Sequence, residues 1–409
     1  MLSACSNLAP EGPGDAAMTA RSPAPATPPA KAANGVATAQ PSLESGALAL
    51  LRPHARWAAA SWPELPAWNA DRAAAFWPAF MKSCERPAAG WQAACAAARL
   101  SGLGPAPTDD AAVRAWLEQQ LRPWRVEARD KLGDKPGDKP GDKPGDKPGD
   151  KPADKDATGL ATGYFEPLVE ASRVPTSQFR FALHAAPADL ATKKPYWTRR
   201  ELELLPAAQK SVRGAELAWV KDRLDVLVLQ IQGSGRLAFA ARDGAATKVV
   251  RVAYAAHNDQ PYQSVGRWLI DQGELRASEA SWPAIRSWAK ANPKRVDELL
   301  WSNPRVVFFR EEPLPDASVG PKGAQGVPLT PGRSVAVDPL SVPYGTPVWL
   351  DTTEPLSTTP LRRLVVAQDT GTAITGAVRA DYFWGWGDEA EAQAGRMKQP
   401  LRMWVLWPR

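Results

Sequence analysis

Histidine is nearly absent from the 409 residues: His54, His184 and His257 stand far apart, and no pair has the helical spacing of a zinc hydrolase. Metal catalysis is therefore not expected, and no cofactor is expected either, since neither a phosphate-binding loop nor a dinucleotide fingerprint occurs. Ser234 in "QGSGR" has one flanking glycine in register where a nucleophile elbow needs two. No segment is apolar for long enough to span a bilayer. Lys/Arg runs are lacking too, so the net charge of +6 reports general attraction to acidic polymers or surfaces, and a nucleic-acid partner is not expected. Tyrosine (6) and phenylalanine (9) are outnumbered by tryptophan (18), a flat amphipathic ring suited to cores and to sugar faces alike.

With these chemistries set aside, carboxylates remain. The stretch "AQDTGTAITGAVRADYFWGWGDEA", residues 367–390, places Asp369 and Asp381 twelve positions apart, with aromatics directly after the second. Apolar neighbours or a second carboxylate raise a carboxyl pKa, as a general acid near neutral pH requires. The ordinary alternative is that an Asp beside Gly or Pro caps a turn through its own backbone.

Leu2-Ser3-Ala4-Cys5 resembles a bacterial lipobox, yet only four residues precede Cys5, too few for a basic start and an apolar stretch. The expectation is a true start upstream, a lipid on Cys5, and an Ala/Pro-rich tether up to residue 44. Ser6 after that cysteine suggests transfer to the outer membrane. Cys84 and Cys95 are then the only possible disulfide pair in an oxidising compartment; two buried thiols on Ala-rich helices are the alternative.

From about 45 to 122 the pattern is helical, with Thr108 as a plausible N-cap for "TDDAAVRAWLEQQL". "GDKP" repeats five times over 133–152, a neutral excursion whose Pro and Gly prevent helix or sheet. "DVLVLQIQGSGRLAFA" reads as strand, glycine turn, strand, and "TKVVRVAYAA" continues the sheet. Helices are expected around 281–301, with Trp282, Ile285 and Trp288 on one face. Short strands follow to the end, which argues for a small closed barrel.

"ATGYFEP" (161–167), "LQIQGSGRL" (229–237), "NPRVVFFRE" (303–311) and "LTPGRSVAVDPLSVPYGTPVWL" (329–350) resemble the membrane-bound lytic murein transglycosylase A family. The resemblance implies a mainly β fold, with a double-psi β-barrel built from early and late chain segments and an inserted second β-rich domain. On this chain that gives a tether at 1–44, a helical part and first barrel portion at 45–165, an insert at 166–285 and the closing barrel portion at 286–409. It implies cleavage of the β-1,4 bond between N-acetylmuramic acid and N-acetylglucosamine of peptidoglycan, leaving a 1,6-anhydro ring. The implied setting is a monomeric lipoprotein on the periplasmic face of the outer membrane of a Gram-negative bacterium, membrane-held by its lipid alone, with a wall-synthesis or wall-remodelling complex as a further possible partner.

The family's three aspartates map onto Asp338, Asp369 and Asp381, with the catalytic acid on Asp381, Asp369 supporting it, and Asp338 supporting or structural. Thr372 and Thr375 depart from the Gly and Lys common there. Thr162, Gly163, Tyr164, Phe165 and Glu166 resemble one groove motif, and Gln232, Gly233, Ser234 and Gly235 the facing one; for the latter a plain hairpin turn is the alternative. A silent glycan-binding lipoprotein and an ordinary hydrolase are the competing functions.

Overall fold

The computed structural model describes residues 42–43, 49–129, 157–240, 247–276 and 279–409. Cys5, the expected tether apart from residues 42–43, and the GDKP repeat lie outside the described residues.

The first sheet starts with β1 (Ser42–Leu43), β2 (Ala49–Leu51), β3 (Ala55–Ala59), β4 (Leu121–Ala128) and β5 (Gly159–Glu166). Its other strands come from the end of the chain: β12 (Ser334–Val337), β13 (Pro347–Thr353), β14 (Pro360–Asp369), β15 (Arg379–Trp386) and β16 (Lys398–Pro408). Between them lies the second sheet, β6 (Leu168–Ser172), β7 (Phe181–His184), β8 (Glu216–Val220), β9 (Ser234–Phe239), β10 (Lys248–His257) and β11 (Val307–Glu312). The first sheet runs in the order β1-β2-β3-β4-β16-β13-β14-β12-β15-β5, and β5 also pairs with β16. That extra pairing closes a ring of six strands, which leaves no free edge in the ring. Within it β12–β14 and β15–β5 are parallel and the rest antiparallel, in keeping with the double-psi barrel expected from early and late segments.

Alternation fills the barrel: Val335, Val337, Val348, Leu350, Val365, Ala367, Met403 and Val405 are buried in one cluster. A second cluster seats three helices on the outside. Phe76, Trp77 and Phe80 of Ala73–Glu85 and Val113, Trp116 and Leu117 of Asp110–Gln120 pack with Trp349, Leu364 and Trp404 of the barrel. Cys84 and Cys95 are disulfide-bonded, joining Ala73–Glu85 to Gln92–Arg99.

Four expectations change. The region from 45 is not wholly helical, since β2 and β3 precede the helices and pair on to β4. The N-cap of Asp110–Gln120 is Asp109, whose carboxylate accepts from the backbone N–H of Ala111 and Ala112, and not Thr108. Residues 223–232 are a helix rather than a strand: Asp222 caps it through Leu224 N, and Gly233 ends it at φ 77°. Leu224, Leu227, Val228 and Ile231 recur there at helical spacing and pack inward. Finally, the second sheet does not end at 285, because β11 pairs with β10 and carries the insert to Glu312.

Candidate active site

The barrel register assembles one row of side chains. Asp381 on β15 lies opposite Thr162 on β5 and opposite Ala336 on β12, while Ala336 lies opposite Asp369 on β14. Directly opposed residues project from the same face of a sheet, so Asp369, Ala336, Asp381 and Thr162 form a row on one face. A register shift between Val335 and Ala336 is what brings Asp369, rather than Gln368, into it. Ala336, which lies between the two aspartates in the register, carries only a methyl group.

Each carboxylate is held differently. Thr162 Oγ1 donates to Asp381 Oδ1 at 2.5 Å and accepts from Arg379 Nη2 at 2.8 Å. Among the described residues Asp381 Oδ2 has no hydrogen-bond partner. Asp369 Oδ2 accepts from the Tyr164 hydroxyl at 3.0 Å, and Oδ1 from Ala324 N at 2.9 Å. Burial raises the Asp381 carboxyl, against the opposing pull of the Thr162 hydrogen bond and the Arg379 charge. Burial also lifts Asp369, to about 6, with a smaller upward push from Asp381 and downward pulls from its hydrogen bonds. Burial and the two carboxylates push Tyr164 well above its ordinary value, so it stays a donor.

Asp338 has another place. It is buried, and its carboxylate accepts from Gly376 N at 2.8 Å and Leu340 N at 2.9 Å and bonds His54 Nδ1 at 2.8 Å. Both oxygens are thus occupied in tying the 338–342 turn to the loop before β15. That makes it a scaffold for the strand bearing Asp381.

Glu166, expected in the groove, is fully buried between two arginines: Arg236 Nε at 2.8 Å and Arg251 Nε at 2.5 Å. Those guanidiniums also donate to the carbonyls of Ala317 and Val319. Since Glu166 ends β5 and the arginines sit on β9 and β10, the triad fastens the barrel to the insert. No face of Glu166 is left for a glycan. Phe165 is buried as well, against Val228, Ala390 and Ala394.

Glycines of both motifs answer to packing. A Cβ on Gly163 would lie 2.6 Å from Trp384 Nε1, and one on Gly235 would lie 2.0 Å from Leu229 Cδ2. Gln232 Oε1 accepts from Phe165 N at 3.2 Å, joining the insert helix to β5. Of the two motifs, then, Thr162 and Tyr164 reach the carboxylates.

Two contacts escaped sequence reasoning. Arg379 stands two residues before Asp381, on the same face by alternation, and that spacing was a readable signal. Arg305, ahead of β11, donates through Nη1 to Thr372 Oγ1 at 2.9 Å, linking insert and barrel three residues past Asp369. Nothing local in the sequence announces that pair.

Residues 160–310 match the family described as the MltA specific insert domain, and residues 333–407 match the 3D domain family. The chain is similar to a lytic transglycosylase, LtgG, of Burkholderia pseudomallei, with 43% identity, 86% of this chain and 95% of that one covered, and a TM-score of 0.57. It is similar to MltA from Neisseria gonorrhoeae at 28% identity, with 88% and 94% covered and a TM-score of 0.68. It is also 33% identical over 250 residues to the membrane-bound lytic murein transglycosylase A of Vibrio cholerae, a match spanning 60% of this chain and 64% of that protein.

Proposed function

The chain belongs to the membrane-bound lytic murein transglycosylase A family, and from that premise we propose that it cleaves the β-1,4 bond between N-acetylmuramic acid and N-acetylglucosamine in peptidoglycan with formation of a 1,6-anhydro ring. The observation that carries this is the Asp381 carboxyl: raised by burial, fixed through Oδ1 by Thr162, and free at Oδ2 to hold a proton.

Asp381 Oδ2–H gives its proton to the glycosidic oxygen as the C1–O4 bond breaks, and the N-acetylglucosamine half leaves with a C4 hydroxyl. The muramyl carbon passes through an oxocarbenium-like state, supported by the substrate's N-acetyl group or by protein dipoles. The Asp381 carboxylate then takes the proton of the sugar's own C6 hydroxyl, whose oxygen closes on C1. The acid is restored, and neither water nor an enzyme nucleophile is consumed. One residue thus does what retaining and inverting hydrolases divide between two carboxylates.

Asp369 supports this from two strands away, since two carboxyls in one row cannot both ionise freely and the charge of either favours a proton on the other. Tyr164 and Ala324 N hold Asp369 in position. Arg379 holds Thr162, and through it the orientation of the acid.

Among the described residues no helix is long and apolar enough to cross a membrane. We place the protein on the periplasmic face of the outer membrane through a lipid on Cys5, an assignment that rests on the lipobox-like start. The deciding experiment digests purified sacculi and weighs the fragments. Anhydro-muropeptides, one water lighter than hydrolysis products, are expected; reducing ends identify a hydrolase, and undigested but protein-bound sacculi a binding protein.

A further inference from the structure

We propose that a cavity in the insert domain, distinct from the carboxylate row, binds the free carboxylate end of a short peptide with small apolar side chains. The cavity, of about 360 Å³, lies among β7, the helices Arg199–Leu204 and Arg223–Gln232, and the chain around Val306. That volume is within the range of small-molecule sites. Phe181, Val226, Leu300 and Phe308 give it an apolar floor, and Arg180, Arg199 and Arg223 supply cations.

The cations are not equally free. Arg223 is paired with Glu203 and Asp297. Glu203, the carboxylate lining the cavity, also accepts from Trp301 Nε1 at 2.6 Å. Arg199 is 5% exposed, yet every hydrogen-bond acceptor it has is neutral: Asn303 O at 3.1 Å, Gln230 Oε1 at 2.6 Å and Arg305 O at 2.7 Å. Those bonds use Nε and Nη2, and Nη1 has no partner among the described residues. Burying a guanidinium is costly, and Glu203, which is already bound to Arg223 and Trp301, offsets that cost only in part: burial still lowers Arg199 to about 10. An incoming carboxylate at Nη1 relieves that cost.

Position suggests the source of the carboxylate. Arg305, whose carbonyl holds Arg199, reaches Thr372 in the barrel with its own side chain. Arg305 therefore links Arg199 of the cavity wall to the junction beside the carboxylate row. A peptidoglycan strand carries peptides that end in alanine carboxylates, small apolar residues with a terminal charge. This choice of ligand rests on the proposed function; the presence of the site does not.

The test uses the full chain and N-acetyl-D-alanyl-D-alanine, followed by calorimetry, with its C-terminal amide as the uncharged control. The acid is expected to bind saturably and the amide at least about 10-fold more weakly, the usual effect of losing a charged hydrogen bond. Ala182→Leu, which fills the cavity and alters no charge, should weaken the acid by a similar factor. Arg199→Gln should abolish the preference for acid over amide; if that variant does not fold, Ala182→Leu and the amide still decide. Absence of saturable binding, equal binding of acid and amide, or an Ala182→Leu protein that binds as its parent overturns the proposal. Fragment masses from sacculi play no part in these readouts, so a wrong site and a wrong reaction are told apart.

Discussion

Asp369 and Asp381 stand on the two strands that flank β12, each directly opposite Ala336, with the Tyr164 hydroxyl on the first and the Thr162 hydroxyl on the second. Two strand spacings put their backbones about 10 Å apart. Both carboxylates lie close enough to Tyr164 to raise its pKa. Twelve positions in the chain have become one row across a barrel wall.

That proximity predicts how Asp369→Asn behaves. Removing a negative charge lowers the pKa of Asp381, so the acid form is lost at lower pH and the alkaline limb of the activity profile moves toward acid. The loss in rate should be milder than for replacement of Asp381. An unchanged limb would separate the two carboxylates electrostatically.

Stability should change in the opposite sense from activity. In the folded protein Asp369 titrates at about 6, above its ordinary value of 3.8. Its contribution is therefore fully present below about pH 4 and lost as pH rises through 6. Asp369→Asn removes that loss, and with allowance for partial solvent access it should stabilise the fold by about 1–2 kcal/mol at pH 8 and hardly at all at pH 4. Denaturant melts at the two pH values check the sign.

Thr162→Val tests the other side of the row. Its hydroxyl hydrogen bond lowers the Asp381 pKa, so its removal should shift the alkaline limb upward, opposite to Asp369→Asn. Loss of orientation should reduce kcat/KM by about 10-fold, the scale of one charged hydrogen bond. A shift in the same direction as Asp369→Asn would mean that Arg379 has moved onto Asp381.

Much of the barrel was legible because β12, β13, β14 and β16 are short apolar strands bounded by Pro, Gly and Asp. The helix Arg223–Gln232 was misread because "LDVLVLQIQ" is apolar enough to fit either period, and its N-cap Asp222 and terminal Gly233 were the better signals. The spacing of Asp369 and Asp381 was visible, but the row they form needs Ala336 between them, and register is a property of three strands rather than of one stretch. Glu166 was misplaced for a related reason: its partners lie 70 and 85 residues away, beyond anything its neighbours in the motif reveal.

Glu166→Gln separates the burial found for this residue from the groove contact expected of it. The change leaves Arg236 and Arg251 buried without a counter-charge, and breaking such a group costs about 3–5 kcal/mol. Denaturant unfolding should register that loss, while the remaining folded protein binds glycan as the parent does. Weakened glycan binding at full stability would return Glu166 to the groove.

Opening the disulfide should have a smaller and purely structural effect. Cys84 and Cys95 close a loop with a sequence separation of 11, for which the chain-entropy estimate is about 3 kcal/mol. A Cys84→Ser, Cys95→Ser protein should unfold at lower denaturant with the same pH profile of activity. A displaced profile would mean that these helices, on the outside of the barrel, influence the carboxylates within its wall.

The decisive substitution is Asp381→Asn, which keeps the shape of the side chain and the acceptor for Thr162 but removes the proton that must be given and taken. General acid and general base assistance are each typically ~100-fold or more. Because one residue supplies both, anhydro-product formation should fall by at least ~1000-fold. Melting temperature and glycan binding should persist, since the carboxylate is not an anchor of the fold: Asp338 ties the loop before β15, and Glu166 fastens barrel to insert. A folded Asp381→Asn protein that forms anhydro-muropeptides within tenfold of its parent would transfer the acid to Asp369, the other carboxyl of the row with a raised pKa. Glu166, with both oxygens held by arginines, is not in a position to take the role.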